Sequence, residues 1–285
     1  MVKKVLLFWA LLGLWVAVAG AEKRLLIFAG SASKPATEEA ARVFERRTGT
    51  KVDLVFGGSG FVLSQMLLSH KGDLYFPGSS DYMELAKEKG AVLSETERRV
   101  VYLVPAIIVA RGNPKHIRGL RDLLRPEVRV AIANPEGVCL GAYAVEVLEK
   151  SLSPEEVRLF RKKLVNYTGS CAKTAAVVAL GAVDAVLGWR VFALWDPEHL
   201  EVVKLKPQEV ARVGYIPIAV SRFSQNRKLA EDFIRFLLSE EGRAIFRRHG
   251  YFMSPEEAFA WLGEKKPVGG RFEVPRSWLE GAHEP

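Results

Sequence analysis

The chain has 285 residues, with 41 Lys and Arg against 33 Asp and Glu, a formal charge of +8, five histidines and two cysteines. Its cations are interleaved with carboxylates, as at Arg98-Arg99, Arg161-Lys162-Lys163 and Arg247-Arg248, which read as solvated helix faces. The clustered charge and recognisable module that nucleic-acid binding needs are both missing, and His70, His116, His199, His249 and His283 show no metal-ligand spacing.

Residues 1 to 21 begin with Lys3 and Lys4, run apolar from Val5 to Val18 and carry small residues at Ala17, Ala19 and Ala21. That order predicts a cleaved secretory signal peptide. The uninterrupted apolar core is well short of the roughly 20 residues that span a bilayer. No cysteine follows to accept a lipid, so the mature chain is expected to be free in a periplasm, as a monomer. The remaining residues, 22 to 285, suffice for two lobes at about 100–200 residues each.

From Arg24 short apolar runs alternate with helix-spaced stretches. A strand is predicted over Leu25–Ala29, then a helix from Ser31 to Arg47 with Ala36, Ala40, Val43 and Phe44 on one face. A strand at Val52–Phe56, a helix from about Gly60, a strand at Asp73–Phe76 and a helix from Asp81 to Lys89 continue the rhythm of crossovers over a parallel sheet. Arg99–Ala110, which contains Pro105, reads as one long strand passing between lobes. Beyond it come strands at Val128–Ala133, Leu164–Tyr167 and Ala185–Trp189, with helices at Leu140–Lys150 and Lys173–Leu180. Val213–Val220, containing Pro217, mirrors the first crossing. Helices at Asn226–Leu238 and Glu240–His249 follow, and the tail after about Gly263 reads as irregular. The fold class is therefore α/β, two Rossmann-like lobes joined by two crossing segments: residues 22–104 and 218–285 form lobe 1 and residues 105–217 form lobe 2. Strand-to-helix turns from both lobes then face one cleft, where ligands of open α/β sheets bind.

Two of those turns are rich in donors. Ala29-Gly30-Ser31-Ala32-Ser33-Lys34-Pro35 ends a strand and opens a helix, with Ser33 suited to the N-cap position and Pro35 tolerated in the first turn. Phe56-Gly57-Gly58-Ser59-Gly60 does the same with glycines that permit close backbone approach. Free N–H groups and the positive end of a helix attract an anion at such places. Taken singly, a serine there is an ordinary cap and Gly-Gly-Ser-Gly an ordinary loop.

Together these turns resemble those of the periplasmic molybdate- and tungstate-binding proteins of ABC importers. Asn134-Pro135-Glu136-Gly137-Val138-Cys139-Leu140-Gly141-Ala142-Tyr143-Ala144 is similar to that family's third turn, and Glu240 to Phe252 to its C-terminal helix. The resemblance covers nearly the whole mature chain to about Phe252. It implies a type II periplasmic binding protein that needs no cofactor, holds a small inorganic oxyanion, molybdate or tungstate, and docks on a membrane ABC permease. Carried over, the ligand-binding positions are Ser31 or Ser33, Ser59, Leu140 and Cys171. Many members add a tyrosine near Gly188-Trp189-Arg190, where this chain offers the Trp189 indole and the Arg190 guanidinium, and the carboxylates used by the tungstate-preferring branch have no match here. No metal site is implied beyond the oxyanion itself. A fully ionised oxyanion wants a site made only of donors. Glu136 is the one carboxylate in these turns and is not a ligand in the resemblance. Cys139 and Cys171 both fall at cleft turns, and the exported setting favours a disulfide between them.

Two other chemistries have a hook in the sequence. Ser31-Ala32-Ser33-Lys34 satisfies the Ser-x-x-Lys pattern of penicillin-recognising hydrolases, with Ser80-Asp81-Tyr82 and Lys173-Thr174-Ala175 loosely matching their later elements. The last residue of each later element is wrong. The same fold could instead take sulfate, thiosulfate, phosphate or ferric iron, for which Tyr143, Tyr167 and Tyr215 are the candidate tyrosines.

Overall fold

A computed structural model describes residues 23–279; the signal peptide expected over residues 1–21 lies outside them. β1 (Arg24–Gly30) passes through a 3-10 turn at Ser31–Ser33 into α1 (Lys34–Thr48), β2 (Lys51–Gly57) into α2 (Ser59–Ser69), and β3 (Leu74–Phe76) into α3 (Ser80–Glu88). β4 (Arg98–Leu103) and β5 (Pro105–Ala110) follow, separated by Val104 alone. Next come β6 (Val130–Ala133), α4 (Cys139–Ser151), α5 (Pro154–Lys163), β7 (Leu164–Thr168), α6 (Cys171–Ala179), β8 (Ala185–Trp189), α7 (Phe192–Trp195) and β9 (Leu200–Val203). The chain then forms β10 (Gly214–Val220), α8 (Arg227–Leu238), α9 (Glu240–Arg248), α10 (Pro255–Leu262) and α11 (Arg276–Leu279).

The strands make two five-stranded sheets, ordered β2-β1-β3-β10-β4 and β7-β6-β8-β5-β9. β2, β1 and β3 are mutually parallel, as are β7, β6 and β8, so each strand–helix–strand rhythm in the sequence gives a three-stranded parallel half-sheet. Both sheets then become mixed, because the crossing strands enter in the opposite sense: β10 lies antiparallel to β3 and β4, and β5 to β8 and β9. The long run Arg99–Ala110 is thus two strands, one in each sheet, with the switch at the buried Val104, whose carbonyl accepts the Arg190 N–H at 3.0 Å. Pro217 sits inside β10, where the register against β4 shifts between Ile216 and Pro217. A proline cannot donate to the ladder, and the irregularity accommodates it.

Of the three basic clusters, Arg161–Lys163 and Arg247–Arg248 close the last turns of α5 and α9, where cations complement the helix dipole. Arg98 and Arg99 do not lie on a helix. They are exposed on the edge strand β4, and charge on an open edge discourages pairing with another chain.

One apolar cluster runs from lobe to lobe through the cleft, joining Ala29 and Ala32 behind the first sheet's turns to Cys139, Leu140, Cys171 and Trp189 behind the second's. Its outer part is a knot of phenylalanines: Phe44 on α1 meets Phe233 edge-on at 5.1 Å and Phe236 at 5.6 Å on α8. Burial of each such ring contributes roughly 1.5–3 kcal/mol. A second cluster lies under β5 and β6 and takes in Ala258, Leu262 and the fully buried Trp278 from the C-terminal stretch. The tail after Gly263, irregular apart from α11, is therefore pinned at its far end.

Candidate functional site

Four strand-to-helix turns converge at the carboxyl ends of the parallel strands: β1 to α1, β2 to α2, β6 to α4 and β7 to α6. In the first, Ser31 is 3% exposed and its Oγ accepts the Ala172 N–H at 3.2 Å, a bond from one lobe to the other. Ser33 occupies the N-cap position of α1, yet its hydroxyl makes no cap bond; it accepts instead from Thr37 Oγ1 at 2.9 Å. In the second turn Ser59 Oγ accepts the Gly78 N–H at 3.0 Å. A hydroxyl has one proton to give. All three serine oxygens accept, so each hydroxyl has its own proton still to donate.

The opposing wall is built differently. Cys139 and Cys171 are the first residues of α4 and α6, so both stand where helix N–H groups lack intrahelical partners. Ser170 caps α6 by accepting the Lys173 N–H. The two sulfurs lie 3.7 Å apart as free thiols, beyond the roughly 2.05 Å of a disulfide, so the expected bridge is not formed here. Burial pushes the Cys171 thiol well above its usual range, Cys139 adds to the rise, and hydrogen bonds from the Leu140 N–H and the Trp189 indole only oppose it. The buried sulfur is neutral. The Trp189 contact is a loose one, because its indole N–H, fully buried, makes no hydrogen bond of normal geometry. Tyr143 stacks edge-on against Trp189 at 4.8 Å, and its buried hydroxyl is likewise without a partner.

The walls touch. Gly60 N–H donates to the Gly137 carbonyl at 3.0 Å and Tyr82 Oη to the Glu136 carbonyl at 2.9 Å. A Cβ on Gly58 would stand 2.7 Å from the Gly137 oxygen and 3.1 Å from the Gly169 oxygen. These glycines let the backbones of the two lobes meet.

Of the residues singled out by sequence, Ser31, Ser59, Leu140, Cys171 and Trp189 are joined by this web of contacts, with Ser33 behind Ser31. Arg190 is turned elsewhere: its guanidinium donates to the Gly250 carbonyl at 2.6 Å and lies 4.4 Å over the Phe252 ring. Of the turn Pro77-Gly78-Ser79-Ser80, only Ser80 was singled out by sequence, for the hydrolase match and not for the cleft. The turn follows β3 just as the two serine turns follow β1 and β2, and that repeat is the signal that could have found it. Gly78 packs so near Cys139 that a Cβ would stand 2.5 Å from its sulfur, and the buried Ser79 hydroxyl has no partner.

The hydrolase motif does not assemble. Lys34 Nζ pairs with Glu38 at 3.9 Å and lies 5.8 Å over the Phe56 ring, while Lys173-Thr174 is in helix α6 rather than on an edge strand. The three tyrosines have three separate settings, against Arg212, Arg161 and Arg99 respectively. Among the described residues no group of three or more His, Cys, Asp or Glu could hold a metal ion.

The molybdate-binding protein ModA of Escherichia coli (strain K12) is 26% identical over 274 residues, covering 88% of this chain and 99% of that protein. The periplasmic molybdate-binding protein of Azotobacter vinelandii has the same fold, with a TM-score of 0.68 at 16% identity over 82% of this chain and 100% of that one. The sulfate-binding protein SubI from Mycobacterium tuberculosis H37Rv gives 0.71 at 19% identity, over 87% and 93%. The family model for bacterial extracellular solute-binding proteins matches residues 25–252. The chain therefore belongs to the bacterial extracellular solute-binding proteins, with the two-lobed α/β fold of type II periplasmic binding proteins.

Proposed function

We propose that the chain captures a tetrahedral oxyanion, molybdate or tungstate, between its two lobes and delivers it as a monomer to a membrane permease. The observation that carries this reading is the state of the serines: Ser31, Ser33 and Ser59 each accept a hydrogen bond and keep a proton to donate. Facing them are the N-termini of α4 and α6 and the Trp189 indole N–H. Asp81 and Glu146 are both committed to Arg212, so no carboxylate confronts the anion in these contacts. Such a cage suits an anion without a proton and disfavours phosphate, which keeps one. Binding would draw the lobes together by bending at the two crossings.

Sulfate is the second reading. It is also a donor-only tetrahedral ligand, and the similarity to a sulfate-binding protein in fold favours it alongside molybdate. The test is a thermal-shift panel of molybdate, tungstate, sulfate, thiosulfate, phosphate and ferric iron, with titration calorimetry on those that raise the melting point. Stabilisation by molybdate or tungstate well above sulfate is expected. Sulfate first would establish the second reading, and stabilisation by phosphate or iron alone would overturn both.

A further inference from the structure

The C-terminal stretch lies beyond the segment that matches the family model, and it touches both lobes. At its far end Trp278 is fully buried in the second core cluster, donates its indole N–H to Glu149 on α4 at 2.5 Å, and lies under the Arg161 guanidinium of α5. Arg161 also donates to the Ser277 carbonyl. That end packs on lobe 2, although the sequence pattern assigns residues 218–285 to lobe 1.

Upstream, the same stretch crosses to lobe 1. Val268 pairs with Val213 on the second crossing, where Val213 N–H donates to Pro267 and Gly269 N–H returns to Val213. The Gly270 carbonyl then accepts Ser80 Oγ at 3.0 Å, the Phe272 N–H reaches Asp81 Oδ1 at 3.2 Å, and Arg271 pairs with Glu88 at 2.7 Å. Ser80, Asp81 and Glu88 are all on α3. Gly269 has φ of +72°, and a side chain there would strike the Tyr215 ring at 2.3 Å, so the crossover point needs glycine for both its backbone and its space.

At the same place sits Arg212, only 5% exposed. It grips Asp81 of lobe 1 through two nitrogens at 2.9 and 3.1 Å, Glu146 of lobe 2 at 2.7 Å and the Gly270 carbonyl of the tail at 2.6 Å. Its guanidinium also covers the Tyr143 ring at 4.0 Å. Breaking one arm of a buried ion pair leaves an uncompensated charge. Moving α3 away from α4 must break one arm.

We infer that residues 264–279, with Arg212 as the hub, form a clasp that ties α3 of lobe 1 to α4 and α5 of lobe 2 and holds the cleft closed. The clasp slows ligand exchange by lowering the population of the open form. It rests on the two-lobed fold alone and is indifferent to which ion is bound.

The experiment uses ligand-free, reduced protein and two readouts. Cys139 and Cys171 are each 1% exposed between the lobes, so the rate at which a thiol reagent labels them follows the population of open molecules. Small-angle X-ray scattering reports the radius of gyration, about 18 Å for a compact chain of this size. The triple variant Ser80→Ala, Asp81→Ala, Arg271→Ala detaches the strap from α3 while leaving Trp278 in the core. A second variant ends the chain after Gly263. The expected result is labelling faster by roughly tenfold or more, the factor for losing one charge-assisted hydrogen bond, with a larger radius of gyration and unchanged circular dichroism in the triple variant. Labelling rates and radii equal to those of the unaltered protein in the triple variant would overturn the clasp, whatever the truncated chain does.

Discussion

The two walls of the cleft offer donors by different means. On lobe 1 the donors are side-chain hydroxyls, each fixed by an N–H or O–H that it accepts. On lobe 2 they are backbone N–H groups and an indole, gathered around a neutral sulfur. Ser33 and Ser59 are set within lobe 1, by Thr37 and the Gly78 N–H, while Ser31 alone is fixed across the cleft by the Ala172 N–H. The sulfur wall depends on three separate elements, α4, α6 and β8, arriving together, so it is open to redox chemistry and to repacking that the serine wall cannot undergo.

The largest expected effect tests that asymmetry through the cysteines. A small-molecule disulfide that takes up the two electrons and two protons should close Cys139 and Cys171 into a bridge spanning 32 residues in sequence. Stability should rise by about 3–4 kcal/mol, read as a higher melting temperature that reductant reverses. A melting temperature that does not respond would show that the helix N-termini cannot approach further.

Closure comes next. Gly58→Ala places a methyl group against two carbonyl oxygens of the opposite lobe, and overpacking of this kind costs about 1–3 kcal/mol. Affinity for the preferred oxyanion should fall by on the order of 100-fold at the upper end. Gly137→Ala is the control, since nothing lies within 4 Å of its added carbon; calorimetry should find it unchanged.

Ser59→Ala removes one hydroxyl donor and leaves the Gly78 N–H without its acceptor. A hydrogen bond to a charged partner is worth about 1.5–3 kcal/mol, so binding should weaken by roughly 30-fold with the fold retained by circular dichroism. Trp189→Phe keeps the ring and deletes the unpaired N–H. Affinity should drop by about tenfold, a smaller loss than Ser59→Ala, while the ligand-free melting temperature stays level or rises, because a buried donor without a partner costs about 1–3 kcal/mol. If Trp189→Phe binds as well as the original, the indole is wall and not ligand.

The smallest effect is an acid one. Burial raises the Glu39 carboxyl, but hydrogen bonds from His249 and Arg248 outweigh it and hold the group below its ordinary range. Its stabilisation is present above the unfolded value of about 4.3 and is lost as pH falls through the lower folded value. Glu39→Gln should flatten that acid limb of a urea-melt series by less than about 1 kcal/mol, and an unaltered limb would place the acid sensitivity elsewhere.

Much of the frame was legible. Apolar runs of strand length next to helix-spaced stretches located every strand of both parallel half-sheets, whereas the serine turns stood out only together, through their resemblance to a family's turns, because a serine at a strand-to-helix junction is by itself an ordinary cap. β9, α7, α10 and α11 were missed, and α5 was seen only as a basic helix face at Arg161–Lys163. α7 and α11 are four residues each, too short to show a period, and Leu200–Val203 pairs only with β5 at a sheet edge. Arg98-Arg99 was misread because alternation of charge along an exposed edge strand resembles a solvated helix over so short a span.

The sequence by itself determined the α/β alternation, the two crossings and the serine turns, since each is written in residues adjacent along the chain. Tertiary structure alone decided that Arg190 serves the Gly250 carbonyl and Phe252 ring rather than the cleft, and that Gly78 and Trp189 close around the cysteines. It alone brought Arg212 between Asp81 and Glu146, residues 131 and 66 positions away. Such partners meet only when separate elements pack, and no local pattern encodes the distance between them.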